Sequence, residues 1–197
     1  MIKLISGKVA CSLCGNNKLS QDYELYEYAT YIVLSALLHI STVVVLGLIF
    51  NLVVESIIFY CSFVAIRKFA GGYHAKTPIR CYIFSTFTIT IGLIIYKFLE
   101  SYDNLIITIL IMLITLGCSI CIFMLAPLDN ENNPLSNKEK QYYRIISIIN
   151  MLILFISSII LLLLKTNYGF AIILGISMSA IVLIMRKIQI VLSLRAK

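Results

Sequence analysis

This chain predicts an all-α polytopic membrane protein of about six transmembrane helices, and three observations carry the prediction. Of its 197 residues, 60% are hydrophobic and only 13% are charged, far from the usage of soluble domains. Apolar stretches recur along the chain, most of them near the ~20 residues that cross a hydrocarbon core of roughly 30 Å as a helix. The cations cluster at every second break between those stretches. So little sequence lies outside the apolar stretches that residues 1–197 read as one integral membrane domain.

Residues 1–24 intersperse Ile2, Leu4, Ile5, Val9 and Leu13 with Lys3, Lys8 and Lys18. This pattern suits a short interfacial helix, and without a sustained apolar core or a small-residue cleavage site it does not read as a signal peptide. From Ala29 to Ile66 there is no cation. One straight helix of that length would run about 57 Å, nearly twice the hydrocarbon core, so the chain must fold back. Asn51 and Glu55 mark the turn, giving spans near 29–50 and 53–66. The polar stretch "RKFAGGYHAKTPIRC", residues 67–81, reads as a loop ending in a helix start. A third span covers 81–99, a break falls at 100–104, and a fourth span covers 105–126. Residues 127–143 form a loop by their prolines and asparagines, and the last spans cover 144–164 and 168–185.

Orientation follows from the cations, because cytoplasmic loops hold most Lys and Arg. If six spans alternate, one side receives the N-terminal lysines, then Arg67, Lys68, Lys76 and Arg80, then Lys138, Lys140 and Arg144, then Arg186, Lys187, Arg195 and Lys197. Only Lys97 and Lys165 fall opposite. Both termini and the 67–81 loop are therefore expected in the cytoplasm, on a face of net charge +8 against −1 outside. Topology accounts for the overall +7 without nucleic acid, and such a face also attracts acidic partners.

Most of the six cysteines have plain readings. Cys61, Cys118 and Cys121 lie within apolar spans and behave there as small hydrophobes. Cys11 and Cys14 form a C-x-x-C with no second pair or nearby His, so no metal is expected. His39, among Leu37, Leu38 and Ile40, suits a hydrogen bond to a neighbouring helix. His74 and Cys81 differ, because they share a loop with Gly71, Gly72 and Pro78. A free thiol is only a few per cent ionised at neutral pH and needs a base, for which His is suited. Seven residues along one helix separate two side chains by about 10.5 Å, too far for a hydrogen bond. "KTPIRC" supplies the needed break: Thr77 suits an N-cap and Pro78 the first helical position. Cys81 then sits one turn into a helix, near its positive end, with the Gly71–Gly72 pair free to curl His74 back. On the residues alone, a Cys-His pair and an ordinary basic loop both account for the segment.

The pattern Arg67, Gly71-Gly72, His74-Ala75, Cys81 resembles the accessory gene regulator B (AgrB) family of bacterial membrane peptidases. The short N-terminal segment, the span count, the "APLDNENNPL" loop and the "KEKQYYR" after the fourth span extend the resemblance over nearly the whole chain. It implies a cysteine endopeptidase of the bacterial cell membrane that acts in quorum sensing without a cofactor. Its substrate would be an AgrD-like precursor peptide whose charged tail is removed, the acyl group passing to an internal Cys to give a thiolactone. In that frame Cys81 is the nucleophile, His74 the base, and Arg67, Gly71 and Gly72 support the site. Glu27, or nearby Tyr31, aligns with a polar position of the family early in the first span and is the candidate orienting residue. The resemblance also implies a homodimer. The competing class is a non-enzymatic exporter or sensor subunit in which residues 67–81 are a hinge.

Overall fold

The computed structural model describes residues 2–14, 22–72, 77–101, 104–128 and 136–195. Among them are seven helices and no strands: α1 (Ile2–Leu13), α2 (Tyr23–Phe50), α3 (Val53–Ala70), α4 (Pro78–Glu100), α5 (Leu105–Leu125), α6 (Asn137–Leu163) and α7 (Tyr168–Arg195). Five of these, α2, α4, α5, α6 and most of α7, are long and apolar enough to cross a bilayer. The polytopic all-α fold is thus as the composition demands. The other long helix, α3, has 18 residues, with Glu55 in its first turn and Arg67 and Lys68 in its last. At ~1.5 Å per residue it extends about 27 Å, close to the hydrocarbon thickness, with charge confined to its ends.

The chain divides into two compact units, Met1–Val45 and Leu46–Lys197. In the first, the expected N-terminal helix is α1, and the Tyr23 hydroxyl at the start of α2 donates to the Gly7 carbonyl at 3.5 Å.

The reversal expected at Asn51 falls inside the second unit, a few residues after its start at Leu46. Asn51 takes a left-handed φ of 58°, the Leu52 N–H donates to the Gly47 carbonyl at 2.7 Å and the Asn51 N–H to Leu48 at 3.3 Å. This pair of bonds closes a helix C-terminus in a Schellman turn, in which Asn tolerates the left-handed position. The same device ends α6 at Lys165, φ 56°, with Thr166 and Lys165 N–H groups donating to Leu161 and Leu162.

Within this unit α7 is the central helix, packing against α3, α5, α6 and α4. Residues 169–176 are buried on every side, as a helix apolar all round must be when other helices surround it. Ile176, Ala180 and Leu183 of α7 meet Ile66 and Ala70 of α3, Ile122 of α5 and Met151 of α6. Lipid tails give no hydrophobic drive between helices, so close approach through small residues does the work. A Cβ on Gly175 would stand 2.7 Å from the Ser62 Cβ, and one on Gly92 of α4 would stand 2.6 Å from the Phe59 ring. Polar bonds also cross between helices: Ser179 Oγ donates to the Phe63 carbonyl at 3.3 Å, and Asn150 Nδ2 to the Ala65 carbonyl at 3.1 Å. Outward side chains such as Leu105, Ile106 and Met124 are largely exposed, as a lipid-facing surface requires.

Several boundaries differ from the sequence reading: α2 starts at Tyr23 rather than near 29, and α7 runs to Arg195 rather than ending near 185. Residues 127–143 are not all loop, because α6 starts at Asn137 behind a capping box: the Ser136 hydroxyl accepts from the Glu139 N–H, and the Glu139 carboxylate accepts from the Ser136 N–H. The stretch 67–81 is not all loop either. Helix α3 continues through Ala70, which the cations favour because Arg67 and Lys68 meet the negative end of the helix dipole.

Candidate functional site

The site is built where α3 ends and α4 begins. The Gly71 N–H closes the last turn of α3 on the Arg67 carbonyl at 3.1 Å. Gly71 then adopts φ 79°, ψ −163° and Gly72 φ 155°, backbone that only glycine enters without strain. Space demands glycine as well. A Cβ on Gly71 would lie 2.6 Å from the Leu128 carbonyl oxygen. That neighbour is held in place by the Leu128 N–H donating to the Ala70 carbonyl at 3.1 Å, so the segment after α5 is laced to the end of α3.

Thr77 is extended (φ −130°, ψ 146°), its side chain accepts from the Arg80 N–H, and Pro78 opens α4. The Thr77–Pro78 helix start is therefore as expected. Cys81 N–H donates to the Thr77 carbonyl at 3.1 Å, which seats Cys81 in the first turn of α4, half-buried.

Arg67 spans the two helix ends. Its guanidinium lies 5.5 Å from the centre of the Phe63 ring, an arrangement that orients an arginine. It stands beside the Cys81 thiol, near enough for the two side chains to interact electrostatically, and a Cβ on Gly72 would stand 3.6 Å from its Nε. Arg67, Gly72 and Cys81 are thus one cluster, and Gly71 fixes the turn beside it. Fourteen residues separate Arg67 from Cys81 in sequence, and the spacing carries no distance across a glycine break. The readable signal was a helix C-terminus followed closely by an N-cap, which forces the two ends together.

The remaining candidates are distributed differently. His74 lies outside the described residues. Glu27 belongs to the N-terminal unit, on α2, where its Oε1 would stand 3.8 Å from a Cβ on Gly7 of α1. Glu55 sits in the first turn of α3, at the far end of that helix from Arg67. Among the described residues no group of three or more His, Cys, Asp or Glu could hold a metal ion.

Comparison with known proteins starts from these same residues. The family model for accessory gene regulator B matches residues 5–183, which spans both units and the whole Arg67–Cys81 cluster. The chain belongs to the AgrB family. Two AgrB-like proteins of Clostridium perfringens are similar to it: one from strain 13 / Type A, 32% identical over 142 residues, and one from strain SM101 / Type A, 31% identical over 142 residues. Each match covers 71% of this chain and 64% of the relative's own length. No solved structure matches. AgrB membership and five bilayer-length helices make this a multi-pass membrane protein of the accessory gene regulator system.

Proposed function

We propose that this AgrB protein is a membrane-embedded cysteine endopeptidase that cuts the tail from a small AgrD-type precursor peptide and releases the remainder as a thiolactone. The observation that carries the reading is the Arg67 guanidinium standing beside the Cys81 thiol in the first turn of α4. A guanidinium and a helix N-terminus are both complementary to a thiolate, and an ordinary structural thiol in an apolar helix requires neither.

The chemistry proceeds in two acyl transfers. His74 takes the Cys81 proton, the thiolate attacks the scissile carbonyl, and the tetrahedral adduct collapses as His74 returns the proton to the leaving amine. The tail departs and Cys81 carries the acyl group as a thioester. The precursor's internal thiol then attacks that thioester, and its proton returns Cys81 to the thiol form. Exchange of one thioester for another is nearly balanced in free energy, whereas water would drain the intermediate, so a site at the membrane that excludes water favours the ring. Six spans with both termini inside put this end of the bundle in the cytoplasm, where an acidic-tailed precursor meets the cation-rich face. A homodimer is the assembly that family resemblance favours.

The experiment is co-expression with a precursor candidate and mass analysis of the product. Cys81→Ala and His74→Ala should each leave the precursor intact, with turnover reduced by at least about a thousandfold. Normal processing by both variants removes the peptidase reading and favours a transporter or sensor subunit instead.

A further inference from the structure

Phe59, Phe63 and Arg67 follow one another at intervals of four along α3 and so share one face of that helix. The two rings lie nearly parallel, with centroids 6.3 Å apart and 10° between their planes, and the Arg67 guanidinium lies 5.5 Å from the centre of the second. This column meets α4 at both ends. A Cβ on Gly92 would stand 2.6 Å from Phe59 Cζ, and Arg67 stands beside the Cys81 thiol. Gly92 and Cys81 are eleven positions apart, about three full turns, and so lie on one face of α4. Between them on that face are the small, buried side chains of Ser85 and Thr88. The two helices therefore pass in opposite senses, with the aromatic column leading from Gly92 to the cation at Cys81.

Burial decides how firmly a ring holds a cation. Lys68 over Phe69 and Arg144 over Phe123 make contacts of the same kind, but both cations are exposed, where water competes for them. Phe63 is only 3% exposed and Phe59 2%. The Phe63 backbone is also tied to α7, its carbonyl accepting from Ser179 Oγ at 3.3 Å. A ring fixed on this many sides offers the guanidinium one position, and a desolvated ring attracts it more strongly than an exposed one. We propose that Phe63 is a positioning residue for Cys81, its buried ring face holding the Arg67 guanidinium against the thiol so that the reactivity of Cys81 depends on that hold. The inference deepens the peptidase reading, from which it takes Cys81 as the nucleophile. Phe63 acts through Arg67, since a guanidinium beside a thiol favours the thiolate only while it stays there.

The test uses the full chain in phosphatidylcholine nanodiscs and reads the rate at which iodoacetamide alkylates Cys81 at neutral pH, by mass analysis of the peptide that carries it. Cys14, in the other compact unit, is the internal control in every sample. Replacing Phe63 with a trifluorinated phenylalanine keeps the ring's shape and withdraws the negative charge from its face, and should slow alkylation of Cys81 about threefold. Phe63→Leu, which removes the ring, should slow it about fivefold, and Arg67→Gln about tenfold. In the Arg67→Gln chain neither change at position 63 should slow it further, because the guanidinium through which the ring acts is gone. The fluorinated ring decides where Phe63→Leu fails to fold. A parent-like rate with the fluorinated ring would give Phe63 a packing role alone and overturn the inference. So would a loss that persists in the Arg67→Gln chain, or an Arg67→Gln rate equal to that of the parent. Alkylation is read without a precursor, so normal processing by Cys81→Ala would end the peptidase reading and leave this contrast to stand or fall alone.

Discussion

Replacing Gly71 with alanine tests how the site is held. Gly71 combines φ 79° and ψ −163°, a region that costs a residue with a Cβ about 1–3 kcal/mol. The added methyl would also sit 2.6 Å from the Leu128 carbonyl oxygen, which is backbone and cannot swing aside. Relief requires the 126–128 segment to move, stretching the Leu128 to Ala70 bond of 3.1 Å at a cost of about 0.5–1.5 kcal/mol. Together these give a loss of about 2–4 kcal/mol, or a fall in melting temperature of roughly 5–15 °C for a chain of this size. Thermal unfolding in mild detergent, followed by thiol-reactive dye, measures it. Gly117→Ala is the control, since a Cβ there meets nothing within 4 Å and alanine is the better helix former by up to about 1 kcal/mol. If Gly71→Ala melts within about 2 °C of the parent, the reasoning about this turn is wrong.

Other variants probe the bundle. Gly175→Ala should cost about 1–3 kcal/mol by forcing α7 from Ser62, and Ser62→Gly in the same chain should recover part of it, a coupling seen only if the two residues touch. Lys165→Gly should stabilise by about 1 kcal/mol by relieving the left-handed φ of 56°, read as a raised melting temperature. Ser136→Ala should cost about 1 kcal/mol through loss of the cap. The Ser136 backbone N–H holds the Glu139 carboxyl below its ordinary value of 4.5. The cap's carboxylate contribution is therefore complete above about pH 4.5 and lost as pH falls through the depressed value. Below that range, wild type and Glu139→Gln should converge in amide exchange at the start of α6.

The helices were legible because apolar length is a direct physical requirement of a bilayer, and the reversal at Asn51 because a helix of that length cannot fit. Thr77–Pro78 was legible because the two residues have distinct jobs at a helix start. Helix ends were harder. The Ser136-to-Glu139 cap has a sequence signature, but it is embedded in asparagine- and proline-rich sequence that points to loop. Arg67 read as a loop residue because it is charged, although its charge favours the last turn of α3. The centrality of α7 was not readable, since every span here is apolar all round and composition does not distinguish a lipid-facing side from a protein-facing one. Nor was the approach of Arg67 to Cys81, which depends on tertiary closure of two helix ends.

The position of α7 also sets a schedule. Ribosomes add roughly 5–20 residues per second, so α3 and its glycine turn leave the ribosome roughly 10 s before the helix that carries Val182 and Gly175. During that interval the Ser62 face, and Gly72, on which a Cβ would stand 3.1 Å from Val182 Cγ1, lack their α7 neighbours, and α3 to α6 wait in the bilayer without the helix that each of them packs against. The cluster around Cys81 therefore comes together among the last events of synthesis, so a nascent chain would be poorly organised to process a precursor made beside it.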